Sequence, residues 1–143
     1  IILVHSCKTK TPVEPDLPLL DFEATNYLTA SELSKFKTLI KCGETVYWEG
    51  KNLKLQGYLF IGNIDNKRKK FFIYDNDRIF ESTNRAFEVY YSSSDSVAIS
   101  KTLLDNIGKY CNIKVSCSTS NIPIEGCRSI INFFLAKNED ITF

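Results

Sequence analysis

The stretch that decides the fold is Leu53-Lys54-Leu55-Gln56-Gly57-Tyr58-Leu59-Phe60-Ile61. Small or aliphatic residues alternate along it with polar or aromatic ones, and this period of two indicates a long strand that faces a core on one side. A glycine in the middle of such a strand is typical of a bulge or a sharp bend. The stretch therefore predicts one long, bent strand.

Further elements are predicted on both sides of this strand. Upstream, the capping box Thr29-Ala30-Ser31-Glu32 begins a helix that Gly43 ends, with Leu33, Phe36 and Ile40 on its apolar face. Val46-Tyr47-Trp48 then predicts a short strand. Downstream, alternation predicts strands over 69–74, 87–91, 111–117 and 127–135, and a helix over about 99–107. The order is a helix followed by β-β-β-α-β-β.

That order resembles the OB-fold, a five-stranded Greek-key barrel. The resemblance covers residues 52–136 and is carried by these three segments: Lys54-Leu55-Gln56-Gly57-Tyr58-Leu59, Lys70-Phe71-Phe72-Ile73-Tyr74-Asp75 and Gly108-Lys109-Tyr110-Cys111-Asn112-Ile113-Lys114-Val115. It implies a β-rich α+β domain, an OB-fold-like barrel with an added N-terminal helix. A different barrel or a small α+β sandwich is the alternative.

The N-terminal residues Ile1-Ile2-Leu3-Val4-His5-Ser6-Cys7 resemble the end of a bacterial lipoprotein signal peptide. Val4, Ser6 and Cys7 match that pattern, whereas His5 departs from it. The resemblance implies that residues 1–7 are the signal remnant, with Cys7 as the lipidation site. It places the protein in the bacterial cell envelope, lipid-anchored and either periplasmic or surface-exposed. The alternative is a buried first strand that contains a cysteine.

Residues 8–25 are predicted to be a tether between the lipid and a single domain over 26–143. Three of the four prolines lie in Thr11-Pro12-Val13-Glu14-Pro15-Asp16-Leu17-Pro18. Proline fixes φ and lacks a backbone donor, so this run favours an extended, semi-rigid spacer.

Four cysteines remain beside Cys7, and an even number suits two disulfides in an oxidising compartment. Cys111 and Cys117 lie on the same register of one predicted strand, about 20 Å apart, which is too far for them to bond each other. Two connectivities remain, of which we favour Cys117–Cys127 with Cys42–Cys111. Four reduced, buried thiols are the alternative.

No catalytic constellation is evident, because the one histidine, His5, precedes the proposed cleavage point. No metal site or cofactor motif is evident either, and we expect a non-enzymatic binding module.

A basic run, Lys67-Arg68-Lys69-Lys70, leads into Phe72 and Tyr74 and falls in the loop that flanks the binding face of OB-folds. The residues predicted to bind are Tyr58, Lys67, Arg68, Lys69, Lys70, Phe72 and Tyr74. Tyr58, Phe60, Phe72, Tyr74 and Tyr90 share the register opposite to the core, where they are either partly buried or exposed for binding.

The expected partner is an envelope protein or a small ligand, with the membrane reached through the lipid anchor. A net charge of +1 gives no general attraction to nucleic acid. The alternative function is a cytoplasmic OB domain that binds single-stranded nucleic acid, with reduced thiols and salt-sensitive binding. For the basic run, the alternatives are a plain solvated hairpin tip and contact with anionic lipid or another acidic partner.

Overall fold

The computed structural model describes residues 17–37, 47–62, 69–91, 94–121 and 129–143. Its strands are β1 (Asn52–Phe60), β2 (Lys70–Tyr74), β3 (Ala86–Tyr90), β4 (Tyr110–Asn121), β5 (Ser129–Phe134) and β6 (Ile141–Thr142). Its helices are α1 (Ala30–Leu33), α2 (Ser96–Asp105) between β3 and β4, and a single 3₁₀ turn at Asn138–Asp140. The last turn and β6 are additions that the alternation pattern does not predict, because each is too short to show a period.

Five strands close into a barrel in the order β1-β2-β3-β5-β4, and β4 returns to pair with β1. The β3–β5 pairing is parallel and the others are antiparallel. β6 adds to β4 as a sixth strand through Ile113↔Ile141. The predicted OB-fold-like, β-rich α+β barrel is therefore confirmed.

The bend in β1 lies at Gly57, where the strand changes partners. Residues before the bend pair with β4 and residues after it pair with β2, whereas Tyr58 is in register with both Tyr110 and Tyr74. A Cβ on Gly57 would lie 2.4 Å from the carbonyl oxygen of Tyr74. Only glycine lets β2 approach β1 this closely, which gives a physical reason for the glycine in the middle of this strand.

The inward register of each strand forms one core. Leu55, Leu59, Phe71, Ile73, Val89 and Ile113 are each 0% exposed. Ile99 and Leu103 of α2 belong to the same cluster, which explains why the apolar residues of that helix recur at helical spacing. Burial of these side chains supplies the main driving force for folding.

The first helix is shorter than its capping box and apolar face predict. The backbone N–H of Glu32 donates to the Thr29 hydroxyl, so the N-cap half of the capping box is confirmed, while the Glu32 carboxylate accepts from the Thr29 hydroxyl. α1 nevertheless ends at Leu33, and the next two hydrogen bonds, Lys35 N to Glu32 O and Phe36 N to Leu33 O, are of the tighter i→i−3 kind. The Ser34 hydroxyl donates to the Ser31 carbonyl, which a longer helix would use for its own backbone bond. Ile40 and Gly43 lie outside the described residues.

Residues 17–25 belong to the domain, so the predicted tether does not extend to residue 25. Leu20 is 4% exposed, and its carbonyl accepts a hydrogen bond from the Tyr47 hydroxyl. The Phe22 ring meets the Trp48 ring edge-on at 6.0 Å. Leu20 and Phe22 explain why this segment packs against the domain, because burying apolar side chains removes them from water.

The predicted strand at 46–48 is also corrected. Tyr47 and Trp48 form a turn that leads into β1, closed by the bond from Lys51 N to Trp48 O. Val46 lies outside the described residues. Trp48 is 1% exposed, so its aromatic character reflects core packing rather than strand propensity.

Candidate functional site

The outward register of five strands carries seven aromatic side chains in three adjacent rows. The first row runs Tyr110, Tyr58, Tyr74 across β4, β1 and β2. The second runs Phe60, Phe72, Glu88 across β1, β2 and β3, and the third runs Lys70, Tyr90, Phe134 across β2, β3 and β5. We call the seven rings the aromatic face: Tyr58, Phe60, Phe72, Tyr74, Tyr90, Tyr110 and Phe134.

The rings of the aromatic face pack against one another. Tyr58 and Tyr110 meet nearly at right angles with centroids 5.1 Å apart, and Phe60 and Tyr74 do the same at 5.7 Å. Tyr90 and Phe134 lie 5.9 Å apart at 38°. Such contacts hold the rings in place before any partner arrives and leave each ring only partly exposed. The face is a preformed apolar surface rather than a set of separate flat rings.

The one basic side chain within the three rows is already engaged. The Lys70 ammonium donates to the Glu88 carboxylate at 2.9 Å and lies 5.8 Å from the centre of the Phe72 ring. The hydrogen bond from Lys70, aided by one from the Tyr90 hydroxyl, holds the pKa of Glu88 below its usual value despite partial burial. The middle of the face therefore carries a balanced ion pair and no net positive charge.

The Tyr110 end of the aromatic face lies close to α1. Partial burial and the nearby Glu32 carboxylate raise the pKa of the Tyr110 phenol. The backbone N–H and hydroxyl of Ser31 both donate to the Asp75 carboxylate, which fastens α1 to the end of β2. The raised pKa keeps the Tyr110 hydroxyl protonated at neutral pH. Because Tyr110 is 42% exposed, this hydroxyl can donate a hydrogen bond to a partner.

The predicted binding residues separate into three groups. Tyr58, Phe72 and Tyr74 come together on the aromatic face, as predicted. Lys70 lies beside them in its ion pair, whereas Lys69 donates to the hydroxyl of Ser96 at the start of α2. Lys67 and Arg68 lie outside the described residues.

Phe60 and Tyr90 also lie on the aromatic face, as their register indicates. Tyr110 and Phe134 were not among the predicted site residues. Alternation with the buried Cys111 and Phe133 marks both as outward-facing, but only the β1–β4 and β3–β5 pairings bring them to this surface.

Cys111 and Cys117 lie on the inward side of β4, 1% and 4% exposed, and are not bonded to each other. The prediction that they do not bond each other is confirmed. Their proposed partners, Cys42 and Cys127, lie outside the described residues, so the pairing stays a prediction. Ser129 is opposite Asn121, four residues (about 13 Å) along β4 from Cys117. A Cys117–Cys127 bond would therefore require the chain before Ser129 to fold back along β4.

The reduced chain is expected to lose stability in alkali because of these two thiols. Burial raises the pKa of each to about 12, from an ordinary value of 9.0. Folding thus favours the protonated form, so the contribution is complete below pH 9 and is lost as pH rises toward 12. At pH 10 we expect a loss of about 1–2 kcal/mol for each thiol in urea unfolding. A C111A/C117A variant is the control, because it keeps every other titrating group. If its free energy of unfolding fell equally between pH 9 and pH 10, the loss would not come from the two thiols.

In the described part of the chain, no group of three or more Asp, Glu, Cys or His residues is placed to hold a metal ion. No helix among those residues is long and apolar enough to span a bilayer. No protein-family model and no curated protein matches the chain.

Proposed function

We propose that this chain is a non-enzymatic, lipid-anchored binding module of the bacterial cell envelope, and that the aromatic face binds a protein partner. The observation that carries the proposal is seven outward-facing rings in three adjacent rows, which follow one another around the barrel from β4 to β5. Aromatic side chains supply much of the affinity of protein interfaces, because they bury a large area with little loss of conformational freedom. Surfaces of this kind are functional more often than accidental.

The ring geometry favours a protein over a single-stranded nucleic acid. Binding to single strands relies on aromatic rings with open faces on which successive bases stack. Here the edge of one ring covers the face of its neighbour in the Tyr58–Tyr110 and Phe60–Tyr74 pairs. A protein surface of mixed aliphatic and aromatic side chains can follow such an irregular surface, whereas a regular stack of bases cannot.

The charges on the face support the same choice. Phosphate binding needs unpaired cations, and Lys70 is held by Glu88. Lys67, Arg68 and Lys69 border β2 in the sequence and are proposed as a basic rim toward an acidic edge of the partner. Rim charges mainly affect the association rate and its salt dependence. Reversing the charge at Lys67, Arg68 and Lys69 is therefore expected to slow association without unfolding the domain, whereas Lys70 is left unchanged because it pairs with Glu88.

The proposed address rests on the N-terminal sequence. Lipid on Cys7 would anchor the chain, and the fold begins to pack at residues 17–20. The proposed tether is then the part of residues 8–25 that precedes Leu20, with the prolines favouring an extended spacer. Such a tether would keep the aromatic face accessible beyond the lipid headgroups.

Site-specific photo-crosslinking in the native host tests the function. A photoreactive phenylalanine at Tyr58, Phe72 or Tyr74 is expected to give one adduct of common size, which protease destroys and nuclease does not. The same residue at Phe143, an exposed aromatic outside the face, is the matched control and should give no such adduct. A nuclease-sensitive adduct would support the alternative, a single-strand-binding OB domain. No adduct from any of the three positions would exclude the aromatic face as the binding surface.

A further inference from the structure

Two lysines lie directly opposite each other on the outer surface of β1 and β4. Lys54 is in register with Lys114, and side chains in this relation have Cβ atoms about 5 Å apart. Like charges so placed repel and weaken the sheet. Within the described segments, neither ammonium makes an ion pair or a side-chain hydrogen bond. The register therefore brings two ammonium groups, neither of them in an ion pair with any described residue, to one place on the sheet.

Both lysines line a cleft of about 550 Å³ between the N-terminal segment and the barrel. Cavities that hold small organic molecules are commonly about 300–1,000 Å³. The rest of the wall is largely apolar and is formed by Leu19, Leu20, Phe22, Leu28, Phe36 and Phe134. The cleft thus combines one cationic spot with an extended apolar surface.

Among the described residues that line the cleft, Lys54 and Lys114 are the basic ones, and the Lys51 ammonium lies over the ring of Phe22 in the wall. Two carboxylates, Asp21 and Asp140, also line the cleft, and neither forms an ion pair with a lysine of the pair. One Asp21 oxygen accepts the backbone N–H of Glu23. Asn52 and Ser116, the next register pair, flank the lysines with groups that can hydrogen-bond an oxyanion.

We propose that this cleft binds a free, single-chain anionic amphiphile, with a carboxylate head between Lys54 and Lys114 and a hydrocarbon chain along the apolar wall. The head relieves the repulsion between the two ammonium groups and accepts charge-assisted hydrogen bonds from both. The hydrocarbon chain covers the parts of Leu19, Phe22 and Leu28 that stay exposed among the described residues. The cleft shares Phe134 with the aromatic face, but neither Lys54 nor Lys114 belongs to that face, so the two proposals can be tested separately.

Calorimetric titration of the 143-residue chain with monomeric oleate tests the proposal. A K54Q/K114Q variant is expected to bind oleate at least about tenfold more weakly, because both charge-assisted hydrogen bonds are lost. Lys109→Gln, which removes an exposed lysine outside the cleft, is the matched control and should bind like the parent. Oleyl alcohol keeps the hydrocarbon chain but lacks the carboxylate, and acetate keeps the carboxylate but lacks the chain. Both are expected to bind far more weakly than oleate.

The unliganded double variant should also melt at a temperature higher by about 2 °C, since the repulsion is gone. If the double variant does not fold, Lys114→Gln alone, at an exposed position, serves for the same comparison. Leu19→Gln, which changes a half-exposed cleft residue, is expected to weaken oleate several-fold. No binding of oleate, equal affinity of the lysine variants, or equal affinity for the alcohol would each overturn the proposal. Crosslinking from the aromatic face is expected to persist in every lysine variant, so the two proposals fail independently.

Discussion

Replacing Gly57 by alanine is expected to destabilise the barrel by about 3 kcal/mol or more. The added Cβ would lie 2.4 Å from the Tyr74 carbonyl oxygen and 2.6 Å from a methyl group of Ile73. The first of these atoms is backbone in a paired strand, so neither a rotamer change nor a small local shift relieves the clash. β2 would have to separate from β1 where Tyr58 pairs with Tyr74.

Gly50→Ala is the matched control for this substitution. Gly50 has a φ of +72°, but a Cβ there would meet nothing within 4 Å. Its cost is therefore backbone strain alone, about 1–2 kcal/mol. Urea unfolding followed by fluorescence of the single tryptophan, Trp48, measures both variants. Equal losses at the two positions would show that close approach of β2 to β1 is not the reason for glycine at position 57.

Trp48→Ala is expected to cost about 3–5 kcal/mol, the largest effect of any single core truncation in the chain. Trp48 is the largest fully buried side chain. Its indole N–H donates to the Lys37 carbonyl at 3.2 Å, and its ring packs edge-on against Phe22. The substitution opens a cavity, leaves a carbonyl without its donor and loosens residues 17–37 from the barrel.

Urea unfolding followed by far-ultraviolet circular dichroism measures the Trp48 variant, since its fluorescence is lost. Phe80→Ala is the control, because Phe80 is 97% exposed and its removal should change stability by less than about 0.5 kcal/mol. A comparably small loss for Trp48→Ala would mean that residues 17–37 are not part of the cooperative unit. The tether would then extend further into the chain than the packing indicates.

The barrel could be predicted from local pattern because its two longest strands, β1 and β4, alternate clearly. Leu53, Leu55 and Leu59 fall on the buried register of β1, with Gly57 at the bend between them. The helix after Thr29 could not be delimited in the same way. The apolar spacing of this helix continues past Leu33, but the Ser34 hydroxyl donates to the Ser31 carbonyl, which would otherwise accept a helical backbone hydrogen bond. This competition depends on the side-chain rotamer of Ser34, which a hydrophobic period does not reveal.

The candidate site was predicted only where neighbouring strands in sequence are also neighbours in space. Tyr58, Phe72 and Tyr74 lie on β1 and β2, which form a hairpin, so their shared register follows from alternation. Tyr110 and Phe134 reach the same surface through pairings between distant strands, and a single sequence does not reveal such registers. The Lys70–Glu88 ion pair could not be predicted for a related reason. Whether the two side chains meet depends on the exact β2–β3 register, and a shift of one residue would separate them.

The central claim is that this barrel is presented from a membrane by lipid on Cys7 so that its aromatic face can bind a protein partner. The most direct test of the anchor is the intact mass and N-terminal peptide of the protein extracted from membranes of its native host. The account predicts a mature chain that begins at Cys7 with a diacylglyceryl group on its sulfur. It also predicts the loss of four hydrogens that two disulfides among the remaining cysteines would cause. A native N-terminal peptide that retains His5 and Ser6 with an unmodified Cys7 would contradict the proposed anchor and the envelope location.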